Sequence, residues 1–181
     1  MKLEVLASDI LDVPADVLIS TANPSLQMTG GVNLKIIIRP QGEFVYEELQ
    51  RYLPSTGERY VEPGTVVRTG PGSLPVRYIL HAVSIDRSYD SSVDLVANTI
   101  VNALTQARAL DARTVTIPAL ATGFGPLSME EFATALSRAI ARDWSPLEVL
   151  KVVLRHEDEA DKVRSVLAGL RGQNLGTMDD H

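Results

Sequence analysis

The chain has 181 residues, 45% of them hydrophobic, and a formal net charge of −6. This length and apolar content suit one domain with a full core, and the acidic balance argues against broad contacts with the backbone of DNA or RNA. With no cysteine, a disulfide framework and a thiolate metal site are excluded. The chain has no 18-residue apolar run, no signal-peptide pattern and only scattered histidines, which predicts a cytoplasmic protein without a membrane span or a metal site.

The first half of the chain is predicted to begin with strands. Residues 2–7 and 16–21 predict two strands, the second with a solid apolar centre typical of burial on both faces. Because no long helix separates them, these first strands are expected to pair antiparallel at an edge of the sheet. Residues 33–38 predict a helical turn and residues 43–53 an amphipathic helix that ends at residues 54–57. Residues 65–69 and 76–83 predict two further strands.

The second half alternates helices with strands. Spacings of three and four between apolar residues predict a long helix over 93–110, which Ser91 with Asp94 is expected to cap. A strand follows from residue 114 to 119. Ser128–Glu131 is a capping box that predicts the start of a helix running to about 142. Residues 147–154 and 157–170 predict the last strand and the last helix.

The order of these elements predicts an α/β fold. Strands that alternate with helices favour a mixed, mostly parallel sheet of about six strands with helices on both faces, a three-layer α/β/α sandwich. Residues 1–171 are expected to form a single domain. Residues 172–181 have little apolar content, which predicts a flexible C-terminal tail.

Two glycine-rich stretches directly follow predicted strands. The first is Ala22–Asn33, with an Asn-Pro turn and a Gly-Gly pair, and the second is Ala121–Pro126. Glycines let backbone N–H groups approach a ligand closely, and such groups at the end of a strand bind phosphate. The carboxyl ends of parallel strands meet at one edge of a sheet, where ligands bind. We therefore expect the two stretches to face each other around an anionic ligand.

Several sequence blocks, in order and at matching spacing from about residue 2 to 170, resemble the macro domain family. The blocks are Ser8–Ile10, Ala15–Ile19, Ala22–Pro24, Gly30–Val32, Tyr78–Val83 and Ile117–Gly123. The resemblance implies a three-layer α/β/α domain that binds ADP-ribose as a ligand, with no separate cofactor. It also implies that the partner is free ADP-ribose or an ADP-ribosylated protein.

The resemblance also implies a role for each residue of the site. Asp9 would accept a hydrogen bond from the adenine amino group, and the backbone of Ile10 would help to fix the ring. Asn23 would bind the hydroxyls of the distal ribose, and Phe124 would cover that ribose. The two phosphates would be bound by the N–H groups of two loops, the first at Gly30, Gly31 and Val32, and the second at Ala121, Thr122, Gly123, Phe124 and Gly125. The hydroxyl of Thr122 would be a further donor to the second phosphate.

Each of these residues also has a plain structural interpretation. Asp9 and Asn23 are common turn residues, and Gly30–Gly31 suits a tight loop without any ligand. His81 lies inside an apolar strand, which favours a hydrogen-bonded core histidine over a catalyst. Trp144 is predicted to pack near a helix end, and Lys35 to be a solvated lysine.

The chain departs from the family at the position of catalysis. One large subgroup of hydrolases carries an aspartate directly after the Gly-Gly-Val step, where this chain has Asn33, and an amide is not a general base. Another subgroup pairs a lysine after the first loop with an aspartate in the second. In this chain Lys35 could be that lysine, but Gly125 occupies the position in the second loop where the aspartate is expected.

Three functions therefore remain open. The preferred one is a binding module for ADP-ribose or ADP-ribosyl groups. The second is a hydrolase of ADP-ribosyl esters or of O-acetyl-ADP-ribose, with the ligand's own phosphate orienting the water. The third is a module for another nucleotide or for single-stranded RNA, which the acidic charge and few aromatics disfavour.

Overall fold

A computed structural model of the chain describes residues 1–53 and 59–175, with residues 171–175 as helix backbone only. The strands are β1 (Lys2–Ala7), β2 (Val17–Ala22), β3 (Val66–Thr69), β4 (Tyr78–Val83), β5 (Thr114–Ile117) and β6 (Val149–Leu154). The helices are α1 (Gly31–Ile37), α2 (Gly42–Gln50), α3 (Val93–Ala109), α4 (Met129–Ile140) and α5 (Glu157–Leu175). A single 3₁₀ turn at Ile10–Asp12 follows β1.

The six strands form one mixed sheet in the order β1-β6-β5-β2-β4-β3. All neighbouring pairs are parallel except β3 with β4. The predicted α/β fold class is thus confirmed, but the expected antiparallel pairing of the first strands is wrong. β1 pairs with β6 and β2 lies between β4 and β5, because β2 is apolar on both faces and is therefore most stable in the middle of the sheet.

Two apolar clusters cover the two faces of the sheet. Along β2, Val17 and Ile19 pack with α3, α4 and α5 on one face. Leu18 packs with the 3₁₀ turn, α1 and α2 on the other face. This alternation follows from the two-residue period of a strand, and it places the long helices behind the sheet and α1 directly beside the end of β2.

The helix caps agree with the predictions at α4 but not at α3, where the predicted capping side chain has another hydrogen-bond partner. The capping box at Ser128 and Glu131 is confirmed. The cap of α3 is Ser92, whose side chain accepts from the N–H of Leu95. Ser91 does not cap the helix because its hydroxyl donates to the carbonyl of Ser84 at 2.6 Å.

The last helix extends to Leu175, five residues beyond its predicted end at Leu170. Residues 176–181, and the predicted helix end at 54–57, lie outside the described residues. The flexible tail and the domain boundary at 171 stay predictions. Within the described ranges, no helix combines the length with the apolar character that crossing a bilayer requires.

Candidate functional site

A cleft of about 710 Å³ opens at the carboxyl edge of the parallel strands. Its walls come from the segments that follow β1, β2, β4, β5 and β6, which is where ligands bind in open α/β sheets. The structure brings nearly all predicted site residues together here. Ile10, Asn23, Gly30–Val32 and Ala121–Gly125 line the cleft, while Asp9 lies beside it between the lining residues Ser8 and Ile10.

Loop 1, which we define as residues 23–32, is held by the side chain of Asn23. Its Oδ1 accepts from the N–H of Gln27 at 3.0 Å and from the hydroxyl of Ser25 at 2.9 Å. Its Nδ2 donates to the carbonyl of Gln27 at 3.0 Å. Asn23 is therefore both a turn residue and a cleft residue, and the second N–H of its Nδ2 makes no hydrogen bond within the described residues.

Glycine is required at Gly31, the first residue of α1. Its φ is +59°, in the left-handed region that residues with a Cβ rarely adopt. A Cβ at this position would also lie 2.7 Å from Oγ1 of Thr21. The Gly-Gly step thus turns the chain sharply into the helix, with its N–H groups at the cleft.

Loop 2, residues 121–126, turns just as tightly after β5. Ala121 has a left-handed φ of +60°, and its carbonyl accepts from the N–H of Leu127 at 3.0 Å. A Cβ at Gly125 would lie 2.6 Å from that carbonyl oxygen, so only glycine fits there. A non-glycine residue in the left-handed region costs of order 1 kcal/mol, and such strain is concentrated at binding sites.

The two loops touch each other across the cleft. The ring of Phe124 packs on Gly30, where a Cβ would lie 2.5 Å from its Cε2 atom. The ring is nonetheless 72% exposed, and its other neighbour is Tyr89, at a centroid distance of 6.5 Å with an edge-to-face tilt of 62°. Phe124 is therefore an exposed apolar ring of the cleft wall, at the point where loop 2 meets Gly30 of loop 1.

The backbone N–H groups that face the cleft have no internal partners. Within the described residues, neither Gly30–Val32 nor Thr122–Gly125 donates a backbone hydrogen bond. The hydroxyl of Thr122 is in use, because it donates to the carbonyl of Ala119 at 3.0 Å. Loop 2 therefore offers backbone N–H groups rather than a side-chain donor. Free backbone N–H groups at successive positions of a tight turn are the usual components of an anion-binding concavity.

The β1 end of the cleft carries an ion pair that the sequence did not predict. Nζ of Lys35 donates to Oδ2 of Asp9 at 2.9 Å, and Oδ1 of Asp9 accepts from the N–H of Leu11 at 3.2 Å. The hydrogen bond from Lys35 is the largest cause that holds the pKa of Asp9 below its ordinary value. The expectation that Lys35 is solvated is wrong, since α1 presents it to Asp9 on the facing turn.

Asn33, where the resemblance implies an aspartate in one subgroup of hydrolases, does not line the cleft. It is 1% exposed, and its Oδ1 accepts from the hydroxyl of Ser20 at 2.6 Å and lies 2.9 Å from Nδ1 of His81. Its Nδ2 is buried without a partner among the described residues. The side chain is thus part of the core beneath loop 1.

His81 belongs to the same buried network. Its Nε2 lies 2.9 Å from Oγ1 of Thr69, and burial lowers its pKa to about 3. The ring is therefore neutral at pH 7 and bonded on both nitrogens, which confirms the interpretation as a core histidine. Trp144 is likewise buried, with its indole N–H on the carbonyl of Ala139, as predicted.

Sequence reasoning also missed the support behind loop 1. The hydroxyl of Tyr46 on α2 donates to Oε1 of Gln27 at 2.6 Å, and Nε2 of Gln50 donates to the carbonyl of Leu26 at 2.7 Å. Gln27 itself lines the cleft. No pattern in the sequence predicts this contact, because it depends on how α2 packs against the loop.

Among the described residues, charged side chains line only one end of the cleft. Its charged lining residues are Lys35, Arg155 and Glu159, and all lie at the β1–β6 end. In residues 1–53 and 59–175, no group of His, Asp or Glu side chains is arranged to hold a metal ion. The cleft thus offers backbone N–H groups at its centre, an exposed apolar ring at Phe124, and charged side chains at one end.

Comparisons with known proteins agree with this geometry. A family model described as the Macro domain matches residues 19–136. An uncharacterized protein of Pyrobaculum aerophilum is 31% identical over 170 residues, which cover 92% of this chain and 91% of that protein. The chain therefore belongs to the Macro domain family.

Solved macrodomains superimpose closely on the described structure. A mutant of the Oceanobacillus iheyensis macrodomain with ADPR is 26% identical and covers 94% of both chains at a TM-score of 0.80. The same macrodomain with ADP has 26% identity and a TM-score of 0.80, over 94% of this chain and 92% of that one.

Proposed function

We propose that this protein is a binding module for ADP-ribose, free or attached to a protein, with the diphosphate between loop 1 and loop 2. The observation that carries the proposal is a set of backbone N–H groups at Gly30–Val32 and Thr122–Gly125, which line one cleft and have no partner among the described residues. Amide dipoles neutralise a diphosphate without lysines, which suits a protein with a net charge of −6. Similarity to macrodomains solved with ADPR and ADP supports it.

The remaining parts of the ligand have matching positions along the cleft. Adenine lies at the β1 end, where Asp9 accepts from its amino group and Ile10 packs beside the ring. Each carboxylate oxygen of Asp9 accepts one internal hydrogen bond and retains a lone pair for a further donor. At the other end, the free N–H of Asn23 Nδ2 binds the distal ribose, and Phe124 covers it.

Binding is favoured over hydrolysis because, in the part of the chain that the structure describes, no carboxylate lines the distal end of the cleft. Asn33 is buried and bonded to Ser20, and Glu159, the acid that lines the cleft, lies at the β1–β6 end. A side-chain general base for water at the distal ribose would have to touch that end of the cleft. These positions support a binding module rather than a hydrolase.

Titration calorimetry tests the proposal directly. ADP-ribose should bind with micromolar affinity, since four or five charge-assisted bonds of roughly 1.5–3 kcal/mol each are offset by ordering costs. AMP should bind more weakly because it lacks the second phosphate and the distal ribose. Heat with a short oligoribonucleotide alone would instead support the RNA-binding alternative and overturn the proposal.

A hydrolase assay separates the second function from the first. Incubation with an ADP-ribosylated acidic peptide, or with O-acetyl-ADP-ribose, should release no more product than a control without protein. We expect Asn33→Asp to remain inactive as well, because its side chain faces Ser20 and His81 rather than the ligand. Release well above the control by the natural chain would establish the hydrolase function.

A further inference from the structure

The positively charged side chains that line the cleft lie away from the two loops that are proposed to bind the diphosphate. The N–H groups of the two loops are at the centre, but Lys35 and Arg155 line the β1–β6 end. The N–H of Ser8, after β1, donates to the carbonyl of Leu154, at the end of β6, at 2.9 Å. Asp9 is the residue after Ser8, and Arg155 is the residue after Leu154. Lys35, which is paired with Asp9, therefore lies at the end of β1, and Arg155 lies at the end of the neighbouring strand β6.

Most of the acids at this end are already engaged. The carboxylate of Asp9 accepts hydrogen bonds from the ammonium group of Lys35 and from the N–H of Leu11. Glu159 accepts from the N–H groups of Arg155 and His156 at 3.3 Å.

The first turn of α5 also carries Glu157 and Asp158. Glu157 is paired with Arg164 at 2.5 Å, and Asp158 is exposed. The guanidinium of Arg155 has no ion pair and no side-chain hydrogen bond within residues 1–53 and 59–170. This planar guanidinium, in the wall of the cleft, can donate two parallel hydrogen bonds to two oxygens of one phosphate group.

We propose that this end of the cleft is a subsite for a phosphate monoester on the ribose that carries the adenine. The inference rests on the proposed function, because in that pose this ribose lies between the adenine at Asp9 and the diphosphate at the loops. A phosphate on its 2′ or 3′ oxygen would meet Arg155 and the ammonium of Lys35. The ligand class is then ADP-ribose phosphorylated on the adenosine ribose, rather than ADP-ribose alone.

The expected preference is moderate. Arg155 is exposed and Lys35 is shared with Asp9, so the gain is that of about one charge-assisted contact, or roughly tenfold in affinity. Because exposed charges are screened by salt, the preference should shrink as ionic strength rises above about 0.1 M.

Calorimetry with ADP-ribose, its 2′-phosphate and its 3′-phosphate tests the inference. For each variant the measured quantity is the ratio of affinities for phosphorylated ligand and ADP-ribose, so general damage to the cleft cancels. The natural chain should bind at least one phosphorylated form about tenfold more tightly. Arg155→Gln and Lys35→Gln should each bring that ratio close to one.

The matched control is Arg113→Gln, which removes the same charge from an exposed arginine at the opposite edge of the sheet. It should keep the full ratio. Equal affinity of the natural chain for all three ligands would overturn the subsite while leaving ADP-ribose binding intact. A ratio that falls equally in Arg113→Gln would also overturn it, since overall charge would then be the cause. Failure of all three ligands to bind would refute the proposed function itself.

Discussion

The two edges of the parallel sheet differ in whether the backbone N–H groups of their turns have acceptors within the protein. At the amino edge, Oδ2 of Asp16 accepts from the N–H groups of Arg113 and Thr114 at 2.8 and 2.9 Å, so the turn between α3 and β5 is closed by a side chain of the protein. At the carboxyl edge, the N–H groups of Gly30–Val32 and Thr122–Gly125 have no such acceptor within the described residues.

The difference shows what each edge does. A carboxylate that accepts two backbone N–H groups ties β2 to the start of β5 and stabilises the fold. Open N–H groups at a strained turn such as Ala121 contribute nothing to stability, so they are expected where a ligand supplies the missing acceptor. An acidic side chain stabilises one edge, and an added one should disable the other.

The largest expected effect is the loss of binding when an acid is placed in the open edge. Gly123→Glu adds a side chain where a Cβ has no neighbour within 4 Å, so the fold is kept. Gly31→Glu adds the same charge on loop 1, together with strain at a φ of +59°. Each should weaken ADP-ribose binding at least about 100-fold, because the carboxylate repels the diphosphate and adds bulk beside it. Calorimetry measures the loss.

Gly169→Glu is the control for these variants. Gly169 lies on the exposed side of α5, and a Cβ there also has no neighbour within 4 Å. Its affinity should equal that of the natural chain. If Gly123→Glu is folded and binds equally well, the phosphates do not lie at loop 2 and the contrast between the edges has no functional meaning.

The next effect is a loss of stability when the acid is removed from the closed edge. Asp16→Ala leaves the N–H groups of Arg113 and Thr114 without their acceptor. Hydrogen bonds to a charged group contribute about 1.5–3 kcal/mol, so the free energy of unfolding in urea should fall by about 2 kcal/mol. ADP-ribose affinity should not change, because Asp16 is at the far edge. A large loss of affinity without a loss of stability would reverse the assignment of the two edges.

The positions of both loops were predictable because local rules determine them. An apolar run followed by glycines predicts a buried strand and a turn, and the structure has tight turns at Gly30–Gly31 and at Gly125. The parallel sheet then brings the two turns to one edge without further information. The alternation of helices and strands predicted the fold class for the same reason.

What the sequence did not predict depends on contacts between distant segments. Lys35 and Asp9 are 26 positions apart, and nothing local indicates that they pair. The inward orientation of Asn33 depends on Ser20 and His81. The antiparallel strand is β3 rather than β1, because strand order is decided by packing on both faces of β2.

A smaller effect is expected at the adenine end of the open edge. Asp9→Ala should weaken ADP-ribose binding by about 1–2 kcal/mol, since it removes one acceptor for the adenine amino group. The analogue with hypoxanthine, which lacks that amino group, should lose nothing further. Asp12→Ala is the control, because Asp12 is on the same turn but is 69% exposed and lies near Arg39 at 3.7 Å. Unchanged discrimination between the two bases in Asp9→Ala would remove Asp9 from adenine recognition.

The smallest effect is a dependence of stability on pH at the closed edge. Burial raises the pKa of Asp16, but the hydrogen bonds from Arg113 and Thr114 outweigh it and leave the pKa below its ordinary value. The unfolded carboxyl has a pKa of about 3.9, so the stabilisation is complete above that pH and is lost as pH falls through the lower folded pKa. Urea unfolding from about pH 6 to pH 3 should therefore show a smaller decline for Asp16→Asn than for the natural chain. Glu47→Gln, an exposed change on α2, should follow the natural chain; if Asp16→Asn follows it too, the carboxylate contributes no ionised hydrogen bond to the fold.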